Sequence, residues 1–236
     1  TYLYDKSKVW HLKICEGCLG KCTFCSERKA RGKLRSEKIE KVIREFENGL
    51  KMGYKIFSLN ADDTGAFGID NKESIVELLE RILAHKENFK LVITEFNPKW
   101  LIHYKDRLVK LLSSKKVAFI TVPLQSGSNK ILELMGREYK VEDVIKILKA
   151  VKAKNKDLIV NTHLITGFPG ETDEEFKKTL KLLEDFHFNK VKIFKYNERK
   201  NTPAARFNNK ISECAKEKRR NILKRKIIFG CIKNLN

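Results

Sequence analysis

Four of the six cysteines of this chain lie in one stretch of eleven residues, Cys15-Glu-Gly-Cys18-Leu-Gly-Lys-Cys22-Thr-Phe-Cys25. Two glycines stand among them. Cysteines at this density indicate a bound metal, a redox pair or disulfides. Among the metal centres, soft thiolate ligands favour zinc or an iron–sulfur cluster.

Zinc, a redox dithiol and disulfides each match this stretch poorly. Structural zinc sites usually place about a dozen or more residues between two cysteine pairs, whereas three residues separate the two pairs here. A redox dithiol would need only two cysteines. Residues 1–6 contain no signal-peptide apolar segment, so we expect a cytoplasmic protein with reduced thiols.

An iron–sulfur cluster suits a single short loop better. The pattern Cys18-x-x-x-Cys22-x-x-Cys25 supplies three thiolates, which can bind three irons of a four-iron cluster and leave one iron open. An open iron is a substrate site rather than only an electron store. Cys15 is either a fourth ligand, which would close the cluster, or a bystander, and we favour the bystander.

The charge balance indicates a polyanionic partner. The 236 residues include 50 Lys and Arg against 30 Asp and Glu, a net charge of +20. Nucleic acid is the simplest partner for such an excess. A thermophile-like charged surface would explain the 34% of charged residues but not their imbalance. No apolar run reaches the length of about 18 residues that a membrane span needs, so we expect no membrane association.

Short β-branched runs alternate with longer amphipathic segments, which is typical of βα units around a parallel sheet. We predict an α/β fold, a partial (β/α)6 TIM-like barrel, in which chemistry collects at the carboxyl ends of the strands. The strands are predicted at residues 9–14, 55–59, 90–94, 117–122, 158–165 and 190–194. The cysteine stretch follows the first strand directly, and the unusual loops also follow strands.

Several local signals predict where helices begin. Ser36 is predicted to cap the next helix, after a basic loop at residues 28–35. Pro98 suits the first turn of a helix that runs to about residue 112. Thr172 is predicted to cap another helix, with Glu175 at the capping-box position. Residues 212–232 are predicted to form a basic helix.

The cysteine pattern, with the aromatic Phe24 before the last cysteine, resembles that of the radical S-adenosylmethionine (SAM) enzymes. The resemblance implies a barrel of the radical SAM type and a [4Fe-4S] cluster on Cys18, Cys22 and Cys25. It further implies that the open iron binds SAM through its amino and carboxylate groups. The reduced cluster would then cleave SAM, with electrons from a separate reducing donor.

Five stretches resemble the methylthiotransferases of that superfamily and occur in the right order between about Val9 and Phe207. They are residues 17–32, 123–128, 135–139, 167–172 and 196–205. Residues 29–32 and 62–68 look most like the archaeal and eukaryotic subgroup. That subgroup adds a methylthio group to C2 of N6-threonylcarbamoyladenosine next to the tRNA anticodon, so the resemblance implies tRNA as the partner.

The resemblance also implies contacts to SAM at the ends of the strands. Asn60 and Asp62 would meet its amino group, unless they serve ordinary turn chemistry. Gln125 and Ser126 would contact its ribose or carboxylate, unless they only start a helix. Phe24 would belong to the same cofactor site.

Three further positions carry implied roles in binding SAM or RNA. Arg137 would pair with the SAM carboxylate, or it is a solvated helix charge. Gly167 would let the backbone approach the adenine, or it makes a tight turn. Tyr196 and Arg199 would line the RNA entrance. His163, in an apolar strand, is expected to be a satisfied core histidine rather than a ligand.

The chain departs from the family in its extent. Family members resemble a three-part protein, whose N-terminal domain supplies three more cysteines for a second [4Fe-4S] cluster and whose small C-terminal β-barrel helps to bind tRNA. Neither appears here, and the leftover cysteines do not match the missing domain. These are Cys15, Cys214 and Cys231. The tripeptide at residues 94–96 also looks unusual and could alter the pocket floor.

We therefore expect residues 1–210 to form the catalytic core and residues 211–236 a basic helix packed on it or extending from it. Such a chain would bind one cluster and cleave SAM without completing methylthiolation. A second cluster is expected only with the missing domain, which a separate polypeptide could supply. The alternatives are a radical SAM enzyme of another tRNA or protein modification, and a non-catalytic metal-binding RNA module.

Overall fold

Six parallel strands form one sheet in the computed structural model. The structure describes residues 5–233. Within this range it describes all side chains except those of residues 6, 28 and 229–233. The larger strands are β1 (Val9–Lys13), β4 (Ile56–Asn60), β5 (Lys90–Ile93), β6 (Val117–Thr121), β7 (Ile159–Thr166) and β8 (Lys190–Lys195), with the short β2 (Cys15–Glu16) and β3 (Arg35–Ser36) between the first two. The sheet order is β1-β4-β5-β6-β7-β8. Sequential neighbours that pair in parallel require crossover connections, and the chain supplies helices for them.

The helices cover the outer face of the sheet. They are α1 (Glu27–Arg31), α2 (Ile39–Lys51), α3 (Ile75–Ala84), α4 (Pro98–His103), α5 (Lys105–Leu112), α6 (Asn129–Leu134), α7 (Val141–Lys154), α8 (Asp173–Asp185) and α9 (Glu213–Lys233). The apolar faces of α2 and α3 bury residues such as Phe46 and Leu79 completely. Across the described residues the sheet leaves β1 and β8 as its two edges, so the barrel is open.

Parallel pairing brings every carboxyl end of a strand to the same rim. In register, Lys13 of β1 lies beside Asn60 of β4, and Ile165 of β7 lies beside Phe194 of β8. The loops that follow these strands therefore meet at one end of the barrel, although they are far apart in the sequence.

The structure corrects four local predictions. The first strand ends at Lys13, after which Cys15–Glu16 pairs antiparallel with Arg35–Ser36. The predicted basic loop contains the helix α1. Ser36 caps no helix, because it lies in β3 and its hydroxyl accepts a hydrogen bond from the Gly68 backbone, at 2.9 Å. The helix predicted after Pro98 breaks at Tyr104.

Of the two hydrogen bonds of the capping box predicted at Thr172, one is confirmed. The Thr172 hydroxyl accepts a hydrogen bond from the Glu175 amide, at 3.3 Å. The Glu175 carboxylate does not return to the cap, because it accepts hydrogen bonds from Ser128 and Lys178 instead. It thereby ties α8 to the start of α6.

The C-terminal helix α9 packs on the loop that follows β7. Arg219, with a side chain only 10% exposed, donates to the Glu171 carboxylate at 2.9 Å and to its backbone carbonyl at 2.8 Å. Its other nitrogen reaches Asp173 at 2.8 Å. Leu223, one turn further on, is fully buried. The predictions that involve Arg28 and Cys231 concern side chains outside the described set.

None of the helices in the described part of the chain combines the length and the hydrophobicity that a membrane span requires.

Arg219→Ala should lower the free energy of unfolding by about 3–5 kcal/mol, because it leaves the buried Glu171 carboxylate without its cation. Urea unfolding monitored by circular dichroism measures this. Arg225→Ala, at an exposed position of the same helix, is the matched control and should change stability by about 0.5 kcal/mol or less. Equal effects of the two substitutions would contradict the assigned anchor.

Candidate functional site

Hydrogen bonds to several segments fix the cysteine loop at the rim of the barrel that the carboxyl ends of the strands form. The Gly17 amide donates to the Asp62 carboxylate after β4, at 2.9 Å. Thr23 donates from its amide to the Met135 carbonyl after α6, at 2.9 Å. The Thr23 carbonyl in turn accepts from the Ala204 amide, at 2.9 Å. Segments that follow three different strands thus fix one loop.

Each of the three cysteines predicted as ligands accepts a hydrogen bond at its sulfur. The Gly20 amide donates to Cys18 at 3.2 Å and the Glu27 amide donates to Cys25 at 3.4 Å. The Arg137 guanidinium donates to Cys22 at 3.4 Å. Hydrogen bonds of this kind favour the negative form of a sulfur and tune a bound metal centre.

Cys15 has a different environment from the other three cysteines in the loop. It is 2% exposed, and its thiol donates to the Asp63 carbonyl, at 3.7 Å. Burial, together with the charge of Asp63, raises the pKa of Cys15 to about 12. A neutral, hydrogen-bonding thiol in a strand is a structural element, which supports the interpretation of Cys15 as a bystander.

The sulfurs of two predicted ligands lie close to the same loop position, Gly20. A Cβ placed on Gly20 would lie 3.2 Å from the Cys18 sulfur and 3.6 Å from the Cys22 sulfur, so both thiols border the region that only glycine keeps clear. Among the side chains that the structure describes, no three of His, Cys, Asp or Glu are grouped so that they could hold a single metal ion. Burial raises the pKa of Cys18 to about 11 and also raises that of Cys25. Binding of a cationic cluster would have to deprotonate these thiols. The soft donor set and the clear space fit a thiolate-bound cluster.

Asn60 and Asp62 both serve the architecture of the rim. The Asn60 amide contacts His11 at 3.0 Å and the Ser58 hydroxyl at 3.0 Å, which joins β4 to β1. Asp62 holds Gly17, as described above, and lies 3.9 Å from Arg31. Both residues also line a cavity of about 260 Å³ beside Cys15.

Gln125 and Ser126 form the turn after β6. Gln125 has a φ of +70°, a region that costs a non-glycine residue free energy, and its backbone bridges to β7 through His163 and Ile165 at 2.7 and 2.8 Å. Ser126 is fully buried and accepts from the Ser128 amide at 3.1 Å. The Ser126 hydroxyl is therefore committed to the turn.

Arg137 is half-buried rather than a solvated helix charge. It donates to the Pro123 carbonyl at 2.6 Å, and its guanidinium lies 5.6 Å from the centre of the Tyr139 ring. Its Nε is buried with no hydrogen-bond partner among the described residues. One donor of the guanidinium is thus unpaired close to Cys22.

Gly167 lies against α9 instead of facing open space. It has a φ of +71°, its amide donates to Glu171 at 2.7 Å, and a Cβ there would overlap the side chain of Lys216. The next residue, Phe168, packs edge-on against Phe24 with ring centres 6.3 Å apart. Phe24 therefore sits between the cysteine loop and an aromatic cluster.

Tyr196 belongs to that cluster and is 5% exposed, with its ring centre 5.2 Å from that of Phe168. Arg199 donates to the Ser26 hydroxyl at 3.2 Å, directly after Cys25. Of these two residues, Arg199 lies at the surface beside the cysteine loop, whereas Tyr196 packs beneath it.

Sequence reasoning missed a second group of polar residues inside the barrel. His163 is not fully satisfied, since its Nε2 is buried without a partner in the described chain. Glu95, which also belongs to this group, has a φ of +46°. The only signal in the sequence was the unusual tripeptide at residues 94–96.

Comparison with known proteins identifies the class. The family described as the radical SAM superfamily matches residues 12–183. The radical SAM methyltransferase TsrM of Kitasatospora setae aligns with a TM-score of 0.68 at 16% identity, over 83% of this chain and 36% of its own. Coproporphyrinogen III oxidase of Escherichia coli aligns with a TM-score of 0.57 at 17% identity, over 96% of this chain and 51% of its own. The predicted partial barrel is confirmed, and the chain belongs to the radical SAM superfamily.

The predicted resemblance to methylthiotransferases is also confirmed. A probable threonylcarbamoyladenosine tRNA methylthiotransferase of Archaeoglobus fulgidus is 37% identical over 239 residues, which is 94% of this chain and 56% of that protein. One of Pyrococcus abyssi is 37% identical over 206 residues, 87% of this chain and 48% of that protein. A ribosomal protein uS12 methylthiotransferase of Thermotoga maritima is 35% identical over 218 residues, 90% of this chain and 50% of that protein. The chain spans about half the length of these relatives.

Gly17→Ala should disrupt the cysteine loop. Gly17 has a φ of +82°, and a Cβ would lie 2.7 Å from the Lys33 backbone carbonyl carbon. Gly53→Ala is the matched control, because Gly53 has a φ of +86° with no atom within 4 Å. We expect the free energy of unfolding to fall by about 1 kcal/mol in Gly53→Ala, from backbone strain alone. In Gly17→Ala it should fall by about 3 kcal/mol, because the overlap of the new Cβ with the Lys33 backbone adds to that strain.

The two variants are compared by urea unfolding and by the iron bound per chain after anaerobic reconstitution. Only Gly17→Ala should lower iron uptake. Normal iron uptake by Gly17→Ala would show that the backbone conformation at Gly17 does not position the cysteines.

Proposed function

We propose that this chain is the radical SAM core of a tRNA methylthiotransferase that acts on C2 of N6-threonylcarbamoyladenosine near the anticodon. The observation that carries the proposal is the 37% identity to two archaeal proteins named for that activity, over 94% and 87% of this chain. The three hydrogen-bonded cysteine sulfurs and the net charge of +20 are consistent with it.

The proposed roles follow from the contacts at the rim. Cys18, Cys22 and Cys25 would hold a [4Fe-4S] cluster, which when bound supplies the electron that cleaves SAM. Arg137, which donates a hydrogen bond to Cys22, would pair with the SAM carboxylate. Phe24 would cover the apolar side of the site, in contact with Phe168.

The remaining proposed SAM contacts come from backbone and rim positions. Asn60 and Asp62 line the cavity after β4, where they would meet the SAM amino group. Gln125 would contact the ribose from its left-handed turn, with Ser126 shaping that turn from below. Gly167 would offer its backbone to the adenine from the face opposite Lys216.

Residues 1–210 would form the catalytic core, and residues 211–236 the helix that braces it through Arg219. The sulfur to be inserted would come from a second [4Fe-4S] cluster on sequence outside this chain, either the rest of a longer protein or a separate polypeptide. This chain alone, with a reducing electron donor, would cleave SAM without transferring a methylthio group.

A basic groove between α7 and α8 offers a surface for the RNA backbone. It has a volume of about 770 Å³, and five lysines line it against two acidic residues. The lysines are Lys130, Lys146, Lys149, Lys178 and Lys181, and the acidic residues are Glu142 and Asp185. Unbalanced lysines along one groove are typical of phosphate contacts.

A protein substrate is the second candidate. Relatives from Thermotoga maritima and Thermosipho africanus named for methylthiotransfer to ribosomal protein uS12 are 35% and 32% identical over 90% and 93% of this chain. Their cores would need the same cluster chemistry, so the distinction between the two candidates lies in substrate recognition.

Anaerobic reconstitution with iron and sulfide, followed by SAM and a strong reductant, should yield 5′-deoxyadenosine from the native chain. Cys22→Ala should reduce the product at least about 100-fold, because cluster binding needs all three thiolates. Cys214→Ala, at an exposed cysteine on α9, is the matched control and should retain activity. Product from Cys22→Ala at the native rate would refute the proposed ligand set.

Binding of a tRNA anticodon stem-loop should weaken steeply with salt. Replacing Lys130, Lys146, Lys149 and Lys181 by Gln should reduce the slope of log K against log salt by about 3, at roughly 0.7–0.9 per phosphate contact. Replacing Lys51, Lys55, Lys72 and Lys86, which are exposed elsewhere, provides a control of equal charge. A salt-independent affinity, or equal slopes for both quadruple variants, would contradict RNA binding in the groove.

A further inference from the structure

One of the three sulfurs predicted to bind the cluster accepts its hydrogen bond from a charged side chain. The Arg137 guanidinium donates to the Cys22 sulfur at 3.4 Å, whereas the sulfurs of Cys18 and Cys25 accept from backbone amides. A donor with a full positive charge interacts more strongly with a thiolate than a neutral amide does. The environment of Cys22 therefore differs from that of the other two predicted ligands.

Contacts on two sides fix the Arg137 guanidinium in this position. While one terminal nitrogen donates to Cys22, the other donates to the Pro123 carbonyl at 2.6 Å. The guanidinium carbon lies 5.6 Å from the centre of the Tyr139 ring. The Tyr139 hydroxyl in turn donates to the Leu124 carbonyl at 2.6 Å. The chain after β6 thus orients the cation from one side and its aromatic neighbour orients it from the other.

The backbone next to Arg137 also lies close to the cysteine loop. The Thr23 hydroxyl donates to the Leu134 carbonyl at 2.7 Å. Gly136 has a φ of +68°, and a Cβ there would lie 2.6 Å from the Lys21 carbonyl oxygen. These contacts are made on both sides of the cysteine that lies between Lys21 and Thr23. They fix the distance between its sulfur and the guanidinium.

Arg137 has no carboxylate as a direct partner. Among the described residues none lies within the 4.0 Å of an ion pair with it, and Asp63 and Glu95 interact with its charge only from farther away. A buried cation is costly unless an anionic group lies close to it. The sulfur of Cys22 is such a group once it is a thiolate, as it must be to bind a metal.

A hydrogen bond to a ligand sulfur shifts the reduction potential of an iron–sulfur cluster. Reduction adds one electron from a low-potential reductant, and no ligand bond forms or breaks. The reduced state carries one more negative charge than the oxidised state. A cation beside a ligand sulfur therefore stabilises the reduced state more, which raises the potential and makes reduction easier.

We propose that Arg137 is a positioning residue that raises the reduction potential of the bound cluster through its hydrogen bond to the Cys22 sulfur. The inference rests on the proposed ligand set, which includes Cys22. A guanidinium carries five N–H groups, so this role is compatible with the pairing to the SAM carboxylate proposed above.

The test is a redox titration of the anaerobically reconstituted chain without SAM, monitored by electron paramagnetic resonance. Arg137→Met removes both the donor and the charge. At the midpoint potential of the native chain, its ratio of reduced to oxidised cluster should be about tenfold lower, which is about 59 mV for a one-electron couple. Arg137→Lys keeps the charge but lacks the planar fork that reaches both Cys22 and Pro123. We expect a smaller decrease of the same sign for it.

Arg199→Met is the matched control. It removes the same charge next to Cys25, but the Arg199 guanidinium donates to the Ser26 hydroxyl, at 3.2 Å, rather than to a sulfur. Arg199 is exposed, so solvent screens its charge, and the ratio should change by about twofold or less. The potential is a property of the clusters that are bound, so a variant that merely loses part of its iron would not shift it.

A second measurement needs no substitution of Arg137. In the native chain labelled with ¹⁵N-arginine, electron spin echo envelope modulation of the reduced cluster should detect coupling to an arginine nitrogen. The labelled Arg199→Met variant should keep this coupling. If Arg137→Met binds no iron, the coupling and the titration of Arg137→Lys decide the question.

Three results would overturn the assignment. They are equal potentials for the native chain and the Arg137 variants, equal decreases for Arg137→Met and Arg199→Met, and the absence of the arginine coupling. Failure of the ligand set is recognised separately, because Cys22→Ala would then form 5′-deoxyadenosine at the native rate. Unchanged potentials in a chain that Cys22→Ala inactivates would contradict the role of Arg137 alone.

Discussion

The constraint on which the site depends is that three soft thiols from an eight-residue span are held in one loop, where the sulfurs of Cys18 and Cys22 both border the position of Gly20. Partial burial raises the pKa of Cys18 to about 11 and also raises the pKa of Cys25. Hydrogen bonds from the amides of Gly20 and Glu27 oppose this effect at the two sulfurs, and Arg137 donates a hydrogen bond to Cys22. Two of those donors are backbone amides, so the fold of the loop itself supplies them. The third comes from a different part of the chain, which makes the site dependent on the barrel.

The parallel sheet makes that dependence possible. Because all six strands run in one direction, the loops after β4, β6 and β8 meet at one rim and hold the cysteine loop through Asp62, Met135 and Ala204. The helix α9 braces the same rim from outside. Arg219 fixes Glu171, which accepts from the Gly167 amide, and the adjacent Phe168 packs against Phe24. A charge buried on the last helix therefore supports a residue next to Cys25.

The periodic features of the sequence predicted the six strands, the open barrel and the cysteine site, because apolar alternation and cysteine spacing are local signals. The features that failed depend on partners distant in sequence. Ser36 has the chemistry of a helix cap but pairs in β3 with Cys15. The structural neighbour of Gly167 could not be predicted for the same reason, because the side chain of Lys216, 49 positions later in the sequence, fills the space at its Cβ. Asn161 and His163 became notable only in the structure, where each lies on β7 with one buried atom that has no hydrogen-bond partner among the described residues.

The most direct test of the central claim is the electron paramagnetic resonance spectrum of the reduced chain, recorded with and without SAM, for the native protein and for Cys15→Ala. If Cys15 is a buried thiol and the other three cysteines leave one iron open, both proteins should bind about four irons per chain. The spectra of both should change when SAM is added. A native spectrum that is insensitive to SAM, or a Cys15→Ala variant that loses its iron, would show that the cluster is closed through Cys15 and would contradict the account.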